Sequence, residues 1–427
     1  MDCPGALRGL AEHVLPTGGS RCAPVYALSM DVVVVGGGPW SPDTNFPTHH
    51  TARLLAREHR VLYLFRNTHV SLVGRAAGRL PGFHSWSDLT ESVFSGTRVE
   101  QVDDRLWVSP LTGAAAAFPL SYPPSMRRVS ASLVVRQLRS TLARLDFSNP
   151  LLWFYWWFFP EIVRDVPHGL AVYDIYDDHT EYDYVRVNPR RKQFTLDIER
   201  RLLQEVDLAF AVSHKLVEAK AGQAPIRYLP NGVDIDTARR ARAAGVPPEL
   251  EGLPRPIIGY LGSFDARMDW RLVDELVAMR PSWSFVFVGG GDTAPLRTQP
   301  NLYLLGNRPY TAALSYVNSF DIALIPFVLD ELTEAVCPAK LFDYLALGKP
   351  TVATPLPAVS EIVGDGDAVY RGRTAHEFSA LADGALAEHP SLAQKREEIA
   401  ASFTWQRRTE RAMSWIEEVL SGRGAVA

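Results

Sequence analysis

One stretch limits the folds open to this chain more than any other. Asp321 to Phe327 is an apolar run of strand length, and Thr351 to Thr354 is another. Between them lies Glu334-Ala335-Val336-Cys337-Pro338-Ala339-Lys340-Leu341-Phe342-Asp343-Tyr344-Leu345-Ala346-Leu347-Gly348-Lys349-Pro350, which reads as a loop and a short helix. Pro338 suits the first helical position, where a missing N–H costs nothing. Gly348 suits a left-handed stop, and Pro350 cannot continue the helix. The pattern predicts a helix opening at the C-terminal end of a parallel strand, where α/β sheets bind ligands. Free N–H groups there favour an anion. Lys340 and Asp343 are three apart and share one helix face. A cation for phosphate and a carboxylate for a hydroxyl pair fit a nucleotide diphosphate. An ordinary surface ion pair fits the same spacing.

The pattern Pro-x-Lys-Leu-Phe-Asp-Tyr-Leu-Ala-x-Gly-Lys-Pro-x-Val-Ala-Thr, residues 338–354, resembles the donor-site signature of GT-B glycosyltransferases, specifically the family 4-like enzymes. The family usually has Glu where this chain has Asp343, and often a second Glu where it has Ala335. Glu334 is one position from that second site. The resemblance implies two Rossmann-like α/β domains facing a central cleft, with a nucleotide-sugar donor and transfer with retention. It implies a small-molecule or glycan acceptor and no metal or other cofactor. By the same resemblance, Pro338, Lys340, Leu341, Asp343 and Glu334 line the donor site, with Asp343 on the ribose.

The start of the chain agrees with such a fold. Asp31 to Val35 is a buried-strand run, and Gly36-Gly37-Gly38-Pro39-Trp40 follows at once. Phe46 to Glu58 has helical spacing, and Val61 to Phe65 reads as the next strand, giving a βαβ opening. A dinucleotide fingerprint needs Gly-x-Gly-x-x-Gly and an acid near the second strand's end. Here the glycines are consecutive and Arg66 stands at that end. In the GT-B resemblance, Gly37 and Gly38 face the cleft, and His49 and His50 stand on its acceptor side. A histidine near a helix start is also compatible with a structural or solvated role.

Residues 130–145 read as an amphipathic helix. The run Leu151 to Phe159, with Trp156 near its middle, ends at Pro160. It reads as a central strand ending in aromatic packing. The functional alternatives are an acceptor wall or a membrane-surface patch. Next, Leu170 to His179 is a strand ending in Asp174, Asp177, Asp178 and His179. Such carboxylates suit Mg²⁺, sugar hydroxyls or solvent equally. The Tyr-Asp-x-x-Asp-Asp pattern resembles a GT-B subgroup, which makes Asp174, Asp178 and His179 the catalytic candidates. Pro230-Asn231-Gly232-Val233-Asp234 resembles the family's closing motif for the first domain. Prolines 247, 248, 254 and 256 then mark a linker. The second domain opens with Ile257 to Ser263, a strand ending in Gly262. By resemblance, Arg267 reaches the diphosphate and the loop at Asn307 holds the base. Trp405 to Leu420 is an amphipathic helix expected to cross back to the first domain. The expected division is 30–240, 250–403 and 404–427, with 1–29 as an extension or a region preceding a start at Met30.

Composition narrows the partners. The net charge of −4 gives no reason to expect nucleic-acid binding. Three scattered cysteines form no disulfide framework or metal knuckle. They suit a reducing cytoplasm. The longest apolar run, nine residues, is far short of the roughly 20 that span a bilayer. Contact with the inner face of a membrane stays open. The rival enzyme class is a nucleotide-sugar epimerase of the same fold; the rival outside enzymes is a nucleotide- or carbohydrate-binding relative without turnover.

Overall fold

The structure is a computed structural model, and it describes residues 29–41, 44–65, 99–111, 124–293 and 296–424. Two sheets build it. The first has the order β3-β4-β2-β1-β5-β6-β7-β8 and the second β11-β10-β9-β12-β13-β14. In chain order the first comprises β1 (Asp31–Val35), β2 (Arg60–Phe65), β3 (Glu100–Asp103), β4 (Leu106–Pro110), β5 (Leu151–Phe154), β6 (Leu170–Ile175), β7 (Leu208–Ala211) and β8 (Ile226–Tyr228). The second comprises β9 (Ile257–Leu261), β10 (Ser284–Val288), β11 (Leu302–Gly306), β12 (Ile322–Ile325), β13 (Thr351–Ala353) and β14 (Tyr370–Arg371). Every pairing is parallel except β3 with β4. This is the α/β arrangement with two Rossmann-like domains that the sequence implied.

The strand runs are apolar on both faces because helices cover both faces. Val33, Val35, Leu62 and Leu64 enter one core, and Val32, Val34, Val61 and Tyr63 enter another. The register places Val33 beside Leu62 on one side and Leu152 on the other. So β1 is central, and the glycine turn after it opens at the sheet's C-terminal edge.

Helix limits follow their caps. Pro47–Leu55 begins on Pro47 and is shorter than the predicted 46–58. The helix predicted at 130–145 starts earlier and spans Pro124–Arg144. Ala339–Ala346 begins one residue later than predicted: Pro338 is its N-cap, with φ −67° and ψ 111°. That ψ is extended, so proline's N–H is still no loss. The run Leu151–Pro160 is buried throughout, with β5 covering only its first four residues. Stacked rings cover the rest, including Trp156 on Phe158 at 5.5 Å. The membrane-patch reading of this run therefore fails. Arg66, residues 70–98 and the extension at 1–28 lie outside the described residues.

The Trp405–Gly424 helix returns to the first domain, packing against Pro47–Leu55 and burying Ala412, Met413 and Ile416 under β1, β2 and β5. Backbone bridging of Val233 with Thr404 pins its start.

Candidate active site

Between the sheets, the C-terminal ends of β1, β6, β9 and β12 bring together two sets of groups. On the first domain, a cavity of about 240 Å³ is lined by Gly37, Gly38, His49, Trp156, Trp157 and His179, with Tyr176 and Tyr182 at its edge. Gly37 and Gly38 have open space where a Cβ would stand. The cavity thus unites five of the residues singled out in the sequence.

The chemistry of its histidines is set by burial. His49 Nε2 lies 3.0 Å from the Pro39 carbonyl, so it carries the proton and donates. Its Nδ1 then accepts from the Thr48 hydroxyl at 3.0 Å. Burial lowers its pKa to about 4, so the ring is neutral at pH 7. His179 is also held neutral by burial, its pKa lowered despite neighbouring carboxylates. It stands among Trp157, Tyr176 and Tyr182. Its Nε2 is buried and has no hydrogen-bond partner among the described residues. A buried unpaired ring nitrogen costs about 1–3 kcal/mol, which a ligand hydroxyl would recover.

The second domain supplies the cations. Gly262 follows β9 with φ +140°, and a Cβ there would lie 2.8 Å from Lys340 Cε. The lysine therefore passes directly over this glycine. Its Nζ stands 4.8 Å from the Tyr260 ring centre and 4.6 Å from that of Phe327. Among the described residues it has no ion-pair partner. Burial, with Arg267 adding repulsion, lowers its pKa to about 7. Arg267 is held by Asp265 at 2.5 Å and lies 3.6 Å from Asp177 across the cleft. Two cations converge here beside the free N-terminus of the Ala339–Ala346 helix, which has no side-chain cap. An anion would relieve their repulsion.

Asp343 is more enclosed than a ribose ligand was expected to be. Tyr310 donates to its Oδ1 at 2.7 Å, and Asn45 donates to Oδ2 at 3.4 Å. His50 in turn donates Nε2–H to the Asn45 oxygen at 2.8 Å and stacks on Trp405 at 4.8 Å. Burial lifts the Asp343 pKa to about 7 and drops that of His50 to about 3. The chain His50–Asn45–Asp343–Tyr310 thus spans the cleft from one domain to the other, and His50 serves it rather than the cavity.

Four expectations are corrected. Asp174 faces away from the cleft: it is fully buried, and both oxygens accept from Arg408 at 2.7 and 2.8 Å. Asp178 closes a local turn, accepting from Thr180 N–H and Oγ. Leu341 points into the core, and its backbone N–H already donates to the Pro338 carbonyl at 3.0 Å. Glu334 pairs with Lys215 at 3.1 Å, and Ala335 is buried with its carbonyl bonded to Ser213. Asn307 is exposed, its side chain against Gly290 after β10.

Sequence reasoning placed Asp177 in the acidic cluster but singled out only its neighbours Asp174, Asp178 and His179. Asp177 is the acid that accepts from Tyr182 at 2.9 Å and faces Arg267. Asp174 lies inside β6 and its orientation is fixed by the sheet, whereas Asp177 lies past the strand's end, where the chain turns into the cleft. Asn45 and Tyr310 carried no local signal, since each matters only through the other domain.

Residues 255–387 match the family model described as Glycosyl transferases group 1. The chain carries a group 1 glycosyl transferase domain. That domain holds Gly262, Arg267, Asn307, Lys340 and Asp343, so the cations and the buried acid all lie within it. The chain is also 29% identical over 183 residues to a Bacillus subtilis (strain 168) protein provisionally named teichuronic acid biosynthesis glycosyltransferase TuaH, covering 40% of this chain and 46% of that one. It is 30% identical over 152 residues to the phosphatidyl-myo-inositol mannosyltransferase of Mycolicibacterium smegmatis, covering 33% and 37%. The chain thus spans under half the length of these curated relatives. The fold match is far wider. Sucrose-phosphate synthase of Thermosynechococcus elongatus superposes with a TM-score of 0.65 at 15% identity, over 92% of this chain and all of that one. Anabaena HepE in complex with UDP gives 0.59 at 12% identity, over 91% and 100%. These likenesses establish the GT-B fold across both domains.

Proposed function

We propose that the protein is a glycosyltransferase that moves a sugar from a nucleotide-sugar donor to a hydroxyl of an acceptor held in the first domain's cavity. The observation that carries this is the pairing of Lys340, which lies over Gly262, with Arg267, close enough to repel it, beside a free helix N-terminus and opposite the His49–His179 cavity. In the reaction the bond from the anomeric carbon to the phosphate oxygen breaks. A bond from that carbon to the acceptor oxygen forms on the same face, giving retention. The acceptor's proton passes to the leaving diphosphate. Charge grows on that diphosphate, and preorganised cations in a water-poor cleft stabilise it. Because two cations and helix N–H groups cover this charge, the reaction needs no metal. Trp156 and Trp157 offer ring faces to an acceptor, and His179 Nε2 offers it a hydrogen bond. The acceptor is a small molecule or glycan, and the reaction takes place in the cytoplasm.

Ala335 supports a second reading, a nucleotide-binding relative without turnover, because no carboxylate stands at that buried position. Thermal shifts with UDP, GDP, dTDP and ADP, with and without Mg²⁺, test the site first. A ligand at about a hundredfold over its Kd stabilises by about 2.7 kcal/mol. A metal-independent shift with one nucleotide, followed by release of that nucleotide from its sugar conjugate, supports the transferase. A shift without any turnover selects the binder, and no shift at all refutes both.

A further inference from the structure

We propose that the outward face of the Pro124–Arg144 helix docks the protein on an anionic lipid surface. The helix carries Arg127, Arg128, Arg136, Arg139 and Arg144 and no acidic residue in its 21 positions. The chain as a whole has a net charge of −4, so this helix runs against the rest of the molecule. Its inner side is settled: Ala131, Val134, Leu138 and Leu142 are buried in the core.

The outer side is a continuous arc. Residues 128, 129, 132, 133, 136, 139 and 140 are all exposed and fall together at 100° per residue. Val129 is 61% exposed and Leu133 40%, one turn apart on the same arc as Arg128 and Arg136. Arg127 is the exception: it turns inward to Glu161 at 2.5 and 2.8 Å. Asp165, beside Arg139, is already paired with Arg164 at 2.8 Å, and its carbonyl accepts from Arg139.

Charge alone would suit any polyanion. Two bare aliphatic side chains set between arginine stems suit a bilayer interface, where headgroups take the guanidinium groups and the acyl boundary takes Val129 and Leu133. The helix is also tied to the cavity. Arg127 donates to the Phe158 carbonyl, in the buried aromatic run that supplies Trp156 and Trp157 to the cavity wall. Docking through this face holds that wall near the lipid. None of this depends on the nature of the reaction. Among the described residues no helix is long and apolar enough to cross a membrane, so the contact is peripheral.

The test is sedimentation of the full chain with sucrose-loaded vesicles of phosphatidylcholine alone or mixed with phosphatidylglycerol. The protein is expected to pellet with the anionic vesicles only, and to be released as salt shortens the screening length. Each arginine near such a surface contributes about fivefold, so Arg128→Glu with Arg136→Glu should lower partitioning at least twentyfold, by roughly the product of two such factors. Val129→Ser with Leu133→Ser should weaken it without altering charge. Unchanged circular dichroism and melting show that each variant is folded. Equal pelleting on neutral vesicles, or full binding by the charge-reversed variant, would overturn the proposal. Retention on heparin without vesicle pelleting would overturn it too, assigning the face to a polyanion.

Discussion

Asp174 and Arg408 make the sharpest test of the revised site. Arg408 gives both terminal nitrogens to the carboxylate, at 2.7 and 2.8 Å, and its Nε to the Pro230 carbonyl at 3.0 Å. Trp153 adds an indole N–H to Asp174 at 3.3 Å. Neither charge reaches water, with side-chain exposures of 3% and 0%. Asp174→Leu strands a buried guanidinium, and Arg408→Met strands a buried carboxylate. Each should cost about 3–5 kcal/mol. The double variant strands no charge. Its cost is the freed Pro230 carbonyl and Trp153 N–H, about 1 kcal/mol each. Two singles near 4 and a double near 2 give a coupling on the order of 6 kcal/mol. Urea unfolding followed by tryptophan fluorescence and circular dichroism would measure the cycle, and melting should place both singles below the double. Additive losses would refute the pairing and return Asp174 to the list of groups available to a ligand.

Three further outcomes are expected. Binding an anion should restore Lys340 from a pKa of about 7 towards its ordinary value. Nucleoside diphosphate binding then takes up a proton above pH 7, and affinity should fall about fifteenfold between about pH 7 and pH 8.5, assuming a bound value near 10.5; calorimetry should show this slope, with Lys340→Met both weaker and flat. Asp343 has its pKa raised to about 7, so the fold disfavours its charged form, and that penalty is complete above pH 7 and fades as pH falls towards the unfolded value. Asp343→Asn should therefore gain roughly 2–3 kcal/mol on the wild type in urea melts between about pH 5 and pH 8. Gly289→Ala would place a Cβ 1.9 Å from the Gly262 carbonyl oxygen at φ +152°, and should lose about 3 kcal/mol or more in melting.

The fold was legible because its strands are buried on both faces, so apolar runs such as Val32–Val35 and Ile322–Ile325 mark themselves. The 338–350 stretch was legible through its stop signals, and Lys340 did come to the Gly262 turn. The acids were harder. A carboxylate at the end of a strand pattern looks the same whether it enters the cleft or the core, and only the distant Arg408 decides for Asp174. Asp343 was found by its spacing, but its enclosure comes from Asn45, 298 residues away. The exposed arginine face of Pro124–Arg144 is invisible in a pattern that registers only the apolar side.

The closing helix also sets an order of events during synthesis. Arg408 leaves the ribosome 234 residues after Asp174. At about 5–20 residues per second, that is a delay of roughly 10–50 s. Throughout it, the first domain has an unneutralised carboxylate facing a groove that Ala412, Met413 and Ile416 have yet to fill. The half made first is therefore finished last, and a nascent chain stalled before residue 405 would present that groove to chaperones.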